Sequence, residues 1–175
     1  MKLSSFFSAI LVFCMVLPTS ALESGATAPD VTGINQESQT IHFKDFYKKD
    51  YVLVFFYPRA NTPGCTAQNK SLRDNFKALS SKGVKVFGVS TDSVTKQKDF
   101  HASLGLPFDL IADEKEVIAK AFGVPVRMGF ASRQAFLIHK GKVIWSDTSA
   151  STEAQATDVL NAVAEFEKQP KTERK

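Results

Sequence analysis

Seven consecutive apolar residues, Tyr51 to Tyr57 (YVLVFFY), constrain this chain more than any other feature. A strand with one wet face alternates apolar and polar side chains. A run without polar interruption fits a strand covered on both faces, at the centre of a sheet with helices on either side. The run by itself therefore predicts an α/β architecture. Fifteen Phe in 175 residues supply one dense aromatic core, and that length fits one domain.

The flanking sequence supplies the remaining elements. Val31 to Phe43 holds two short apolar patches around Asn35-Gln36-Glu37-Ser38, the pattern of a hairpin. Thr66 to Ser81 reads as a helix with Leu72, Phe76 and Leu79 on one stripe. Val84 to Ser90 is a strand, and Val94 to Leu104 a helix capped by Ser93 with Phe100 and Leu104 facing inward. Phe108 to Ala112 is a strand, followed by a short helix, Lys115 to Phe122, capped by Asp113 and closed by Gly123. Gln134 to His139 and Lys142 to Trp145 form a hairpin across Lys140-Gly141. A last helix starts near Ser151, with Ala156, Leu160, Val163 and Phe166 on its inner stripe. The order is a β pair, β-α-β-α-β-α, a β hairpin and a final α, which predicts a central sheet flanked by helices with an N-terminal hairpin extension.

The ends read differently. Met1 to Ala21 has the form of a secretory signal: Lys2 is the positive start, Phe6 to Leu17 the apolar run, Pro18 its break, and Thr19-Ser20-Ala21 the small residues of a cleavage site. The run is short of the roughly 20 residues a membrane span needs. Export to a periplasmic or secreted location is the expectation, with tethering to a membrane by an uncleaved signal as the alternative, and no stable span. Cys14 does not fit a lipidation site, since Phe13 is bulky and the apolar run continues past it. The expected domain covers 22–167, and 168–175 reads as a polar, disordered tail.

In sheets of this kind sites form at the carboxyl ends of strands, so the loop after Tyr57 is the first place to look. It reads Pro58-Arg59-Ala60-Asn61-Thr62-Pro63-Gly64-Cys65-Thr66 and runs into a helix. A helix start presents unpaired N–H groups and a partial positive charge, which favour an anion, and the thiolate is the nucleophilic form of a Cys. Thr62 stands three residues earlier, where its hydroxyl can fold back toward the sulfur. Pro58 and Pro63 stiffen the loop. A small buried hydrophobe is the competing reading of a free Cys.

The spacing Pro58-x-x-x-Thr62-x-x-Cys65 resembles the signature of peroxiredoxins. The wider run Phe56-Tyr57-Pro58, Thr62-Pro63-Gly64-Cys65-Thr66 and Leu72-Arg73-Asp74 is similar to the Q-type branch, the bacterioferritin comigratory proteins. Gly88-Val89-Ser90-Thr91-Asp92, Phe122-Gly123-Val124 and Arg133-Gln134-Ala135-Phe136-Leu137-Ile138 follow in that family's order. The resemblance implies a thioredoxin fold and reduction of hydrogen peroxide and organic hydroperoxides, with no metal or organic cofactor. It implies Cys65 as the nucleophile that becomes a sulfenic acid, Thr62 as the hydroxyl that positions the peroxide, and Pro58 as a shield against water. It also implies Arg133 as the cation beside the sulfur. Arg59 and Arg127 are rival cations that read as solvated. Gln68 and Arg73 share the resemblance without an assigned role.

One position departs from the branch. Many Q-type members carry a resolving Cys five residues after the first, where Lys70 stands here, or in a later helix near His101. The sequence holds two Cys, and none follows Cys65. The reading is a one-Cys enzyme whose sulfenic acid is reduced by an external thiol: thioredoxin-like, glutaredoxin-like, glutathione, or a second subunit. A monomer and a dimer both fit. A catalytically idle module that binds a partner or senses peroxide is the alternative. His42, His101 and His139 lack paired ligand spacing, so no metal site is expected. A net charge of +4 and a pI near 9.0 come without aromatic interleaving, so nucleic acid is not an expected partner.

Overall fold

The structure is a computed structural model that describes residues 21–48 and 51–170. The expected secretory signal over 1–21 therefore lies, apart from Ala21, outside the described residues, as do the last five positions of the expected tail.

The central strand, β3 (Tyr51–Phe56), has five buried residues in a row after a half-buried first one. It pairs in parallel with β4 (Val84–Ser90) and antiparallel with β8 (Gln134–His139). The strands β1 (Thr32–Asn35), β2 (Thr40–His42), β5 (Asp109–Ala112) and β9 (Lys142–Asp147) complete a seven-stranded mixed sheet in the order β2-β1-β5-β4-β3-β8-β9. The N-terminal hairpin is thus an extension of the sheet edge, joined through antiparallel β1 and β5.

Side chains alternate across β3, and both faces are covered. Leu53, Phe55 and Tyr57 enter one core with Leu72, Leu79, Phe100, Leu137, Val159 and Val163. Val52, Val54 and Phe56 enter the other with Phe87, Val89, Phe122, Phe136 and Ile138. The first core belongs to α2 (Pro63–Asp74), α3 (Phe76–Ser81), α4 (Val94–Leu104) and α6 (Gln155–Lys168). The second is covered by α1 (Lys44–Tyr47) and α5 (Val117–Ala121).

Several elements depart from the sequence reading, the unexpected short helix α1 among them. The expected helix over 66–81 starts three residues earlier and is broken at Asn75 (φ −101°, ψ 7°), whose side-chain amide donates to the Ser71 carbonyl at 2.9 Å. An Asn that bonds the backbone one turn back competes with the helix ladder. The expected helix over 115–122 contracts to α5 because Glu116 adopts φ 58°. Asp113 still caps it, accepting from Ile118 N at 3.0 Å and Ala119 N at 2.8 Å. The last helix begins at Gln155, since Ser151 Oγ accepts from the N–H groups of Glu153 and Ala154 in a turn before it. A small hairpin, β6 (Val126–Arg127) with β7 (Phe130–Ala131), precedes Arg133; strands of two residues leave no alternation to read.

Candidate active site

The loop between β3 and α2 is tied down from below. Tyr57 N donates to Val89 O at 3.1 Å, and Ala60 N donates to Asp92 Oδ2 at 2.7 Å. Ser90 Oγ donates to the same carboxylate oxygen at 2.9 Å and accepts from Gln97 Nε2 at 2.9 Å. The Tyr57 hydroxyl donates to Gln97 Oε1. Burial pushes the Tyr57 phenol well above its usual range, against the opposing hydrogen bonds to Ser90 and Gln97, and the nearby Asp92 carboxylate pushes the same way as burial. A neutral phenol is therefore fixed beneath the loop. Asn61 turns the chain with φ 60°.

Thr62 is extended (φ −97°, ψ 152°) and Pro63 takes the first helical position, where a missing N–H costs nothing. The first intrahelical bond runs from Thr66 N to Thr62 O at 2.8 Å. Cys65 is the third residue of α2, inside the turn whose N–H groups have no intrahelical partner. Its side chain is fully buried. The sequence reading of a Cys at a helix start is borne out.

Arg133 reaches this sulfur from the start of the neighbouring strand. It precedes β8, which lies beside β3, so the register that pairs Phe56 with Gln134 delivers Arg133 to the end of the central strand. Its Nη2 stands 3.5 Å from Cys65 Sγ, and its Nη1 donates to Gln68 Oε1. Ala150 N donates to the Arg133 carbonyl at 3.3 Å, holding the backbone from the other side. A Cβ placed on Gly64 would lie 3.3 Å from Arg133 Nη2 and 3.6 Å from Thr152 Cγ2, so the guanidinium and the loop before α6 both close over the helix start.

The other expected residues fall as follows. Pro58 is half-buried two residues after the end of β3. Thr62 does not cap α2 with its side chain; its hydroxyl donates to the Arg59 carbonyl at 3.1 Å, so the proton points into the loop rather than at the sulfur. The Arg59 guanidinium lies 5.7 Å over the Phe130 ring, and Arg127 and Lys70 are exposed. Arg73 ties α2 to α4 by donating to Leu104 O at 2.8 Å. The sequence reading missed Gln155, which is buried on α6 and accepts from Gln68 Nε2 at 2.7 Å. A polar residue at an inner helical position next to Ala156 was the available signal.

A family model described as the AhpC/TSA family matches residues 24–146, most of the chain and all the residues assembled above except those of the last loop and α6. The chain belongs to the AhpC/TSA family. Among curated proteins it is 38% identical over 119 residues to the Escherichia coli protein named "Peroxiredoxin Bcp", covering 68% of this chain and 76% of that one. It is 33% identical over 125 residues to the "Peroxiredoxin Q, chloroplastic" of Oryza sativa subsp. japonica, covering 70% of this chain. The chain spans 57% of the length of that relative. Among solved structures, the Mycobacterium tuberculosis peroxidoxin BcpB superposes with a TM-score of 0.78 at 29% identity, covering 82% of this chain and 97% of that one. This AhpC/TSA member has the mixed α/β, thioredoxin-like fold that the resemblance implied. Among the described residues no helix is long and apolar enough to cross a membrane.

Proposed function

We propose that the chain is a thiol-dependent peroxidase that reduces hydrogen peroxide and organic hydroperoxides through Cys65. The observation that carries this reading is the 3.5 Å approach of Arg133 Nη2 to a sulfur at the open turn of α2. A guanidinium and a helix N-terminus both stabilise a thiolate and the negative charge that grows on oxygen in the transition state. The thiolate attacks one peroxide oxygen. The S–O bond forms as the O–O bond breaks, the sulfur loses two electrons, and the departing oxygen takes a proton to leave as water or alcohol. Thr62, with its own proton committed to the Arg59 carbonyl, offers a lone pair to the peroxide O–H. Pro58 covers the strand end and limits water at the sulfur.

The enzyme is of the one-Cys type in this proposal, because no Cys follows Cys65 in the sequence. An external thiol, thioredoxin-like, glutaredoxin-like or glutathione, attacks the sulfenic sulfur and releases water, and a second thiol then frees Cys65 as the mixed disulfide breaks. The pattern of residues 1–21 supports export to a periplasmic or secreted compartment, which such a reductant must reach.

The full burial of Cys65 favours a second reading, in which the thiol is oxidised once and not turned over. Peroxide consumption by the purified protein with dithiothreitol separates the two. Sustained turnover that Cys65→Ser abolishes supports the peroxidase. One equivalent of oxidation without turnover by any thiol supports the sensor, and full activity in Cys65→Ser removes both.

A further inference from the structure

We infer that Gln155, on the last helix, is a positioning residue for the reacting centre: it fixes the orientation of the Gln68 amide and through it the Arg133 guanidinium. The inference rests on the proposed role of Cys65 and Arg133, and it concerns a residue outside the segment that the family model matches.

A guanidinium offers N–H donors and no acceptor. Arg133 Nη1 therefore requires the oxygen of Gln68, and it receives Oε1. That choice turns Gln68 Nε2 away from Arg133, toward α6, where Gln155 Oε1 accepts it at 2.7 Å. Both amides are buried, Gln68 fully and Gln155 to 1% exposure, so water is not available to replace either contact. The polarity of the chain Gln155, Gln68, Arg133, Cys65 runs in one direction, and each link excludes the flipped amide at the next.

Gln155 bears a cost in this arrangement that marks it as more than filler. Its own Nε2 is buried and has no hydrogen-bond partner among the described residues. A buried amide with one orphaned donor is unfavourable against an apolar side chain of the same size. On α6 the neighbouring inner positions, Ala156, Val159 and Val163, are apolar. The position thus keeps an acceptor where packing alone favours a hydrocarbon. Without that acceptor Gln68 is free to rotate, and its NH₂ end then faces a guanidinium that cannot accept. The guanidinium loses the contact that aims Nη2 at the sulfur.

The test is the pH profile of Cys65 alkylation by iodoacetamide, read by mass spectrometry on the full chain. It needs no peroxidase activity, so it fails or succeeds apart from the proposed function. Gln155→Met removes the acceptor at similar length and is expected to move the midpoint of the profile upward by about half a pH unit or more, as a less well held cation stabilises the thiolate less. Gln155→Asn, too short to reach Gln68, moves it the same way and serves if the Met variant does not fold. In a Gln68→Met background, Gln155→Met adds no further shift, because the link it supports is already gone. Val159→Ala, a destabilising change on the same face of α6, leaves the midpoint in place. An unmoved midpoint in the folded Gln155 variants overturns the inference, and so does a shift that adds in full on Gln68→Met.

Discussion

Arg133 Nη2 stands 3.5 Å from Cys65 Sγ although the two residues are 68 positions apart in the chain. The relation is made by sheet pairing: β8 lies antiparallel beside β3, so the residue before β8 arrives where β3 hands the chain to α2. One planar cation then serves two acceptors, the sulfur and Gln68 Oε1. Lys has a single point charge and lacks the fork. Arg133→Ala is expected to slow the peroxide step about 10²–10³-fold, the usual loss when a donor to developing negative charge is removed. Arg133→Lys should fall between the two, since it keeps charge but cannot hold both partners. Stopped-flow measurement of peroxide-dependent Cys65 oxidation checks both, and equal rates in all three proteins remove Arg133 from the mechanism.

Gly64 sets a limit on the same cation. Ala is the better helix former by up to about 1 kcal/mol, so Gly64→Ala alone predicts a gain or no loss in stability. The new methyl carbon, however, would stand 3.3 Å from Arg133 Nη2, a spacing tight enough that the flexible guanidinium must yield. The expected result is a protein that melts no lower than the wild type and oxidises more slowly with peroxide. A rate equal to wild type means that the guanidinium has room to spare, and that its placement is not the controlling feature.

The parts of this architecture that were legible in the sequence are those with long, regular patterns. The uninterrupted run of β3, the strand β4 and the helix α4 with its Ser93 cap stand where the pattern put them. The cap is visible because Ser93 Oγ accepts from Lys96 N at 3.4 Å, a local contact that sequence spacing encodes. The break at Asn75 and the left-handed Glu116 each turn on one side chain or one backbone angle, and periodicity averages over such events. Pro58, Thr62 and Cys65 lie close together in sequence, around the start of α2, and could be found together. Arg133 needed the family motif, because nothing local to it distinguishes it from Arg59 or Arg127. Gln155 showed in the sequence only as a polar residue at an inner helical position: its partner is 87 positions away, and its meaning exists only once α2 and α6 are packed.

The loop anchor at Asp92 separates geometry from charge. Its Oδ2 accepts from Ala60 N at 2.7 Å and from Ser90 Oγ at 2.9 Å, with Asp92 itself 7% exposed. Asp92→Ala leaves both donors buried and unmet, a loss of about 1–3 kcal/mol for each group left without water or partner. The Cys65 loop should loosen with it. Asp92→Asn keeps an acceptor oxygen and is expected to recover most of the stability. Chemical denaturation together with the peroxide rate tests the pair. Equal stability of the Ala variant and the wild type would show that the Ala60 contact does not hold the loop.

Tyr57 predicts how the fold responds to alkali. Burial, the largest cause, pushes its phenol far above the usual value, and Tyr47 is pushed the same way by burial and by the nearby Asp30 carboxylate. The charged form of each is the deprotonated one, so the folded state holds its proton more tightly than the unfolded chain does. The stabilisation is then fully present below the unfolded phenol value of about 10 and is lost as pH rises through the folded value. Each such group gives a slope of about 1.4 kcal/mol per pH unit once the unfolded chain has ionised and the folded one has not. Tyr57→Phe should be less stable than wild type at pH 7, because Gln97 Oε1 loses its buried donor, a cost of about 1–3 kcal/mol. Between pH 10 and 11.5, by about one group's share, its stability should fall less steeply than that of the wild type. Urea unfolding across that range measures both quantities, and parallel curves for the two proteins would mean that the Tyr57 phenol ionises in the folded state as readily as in water.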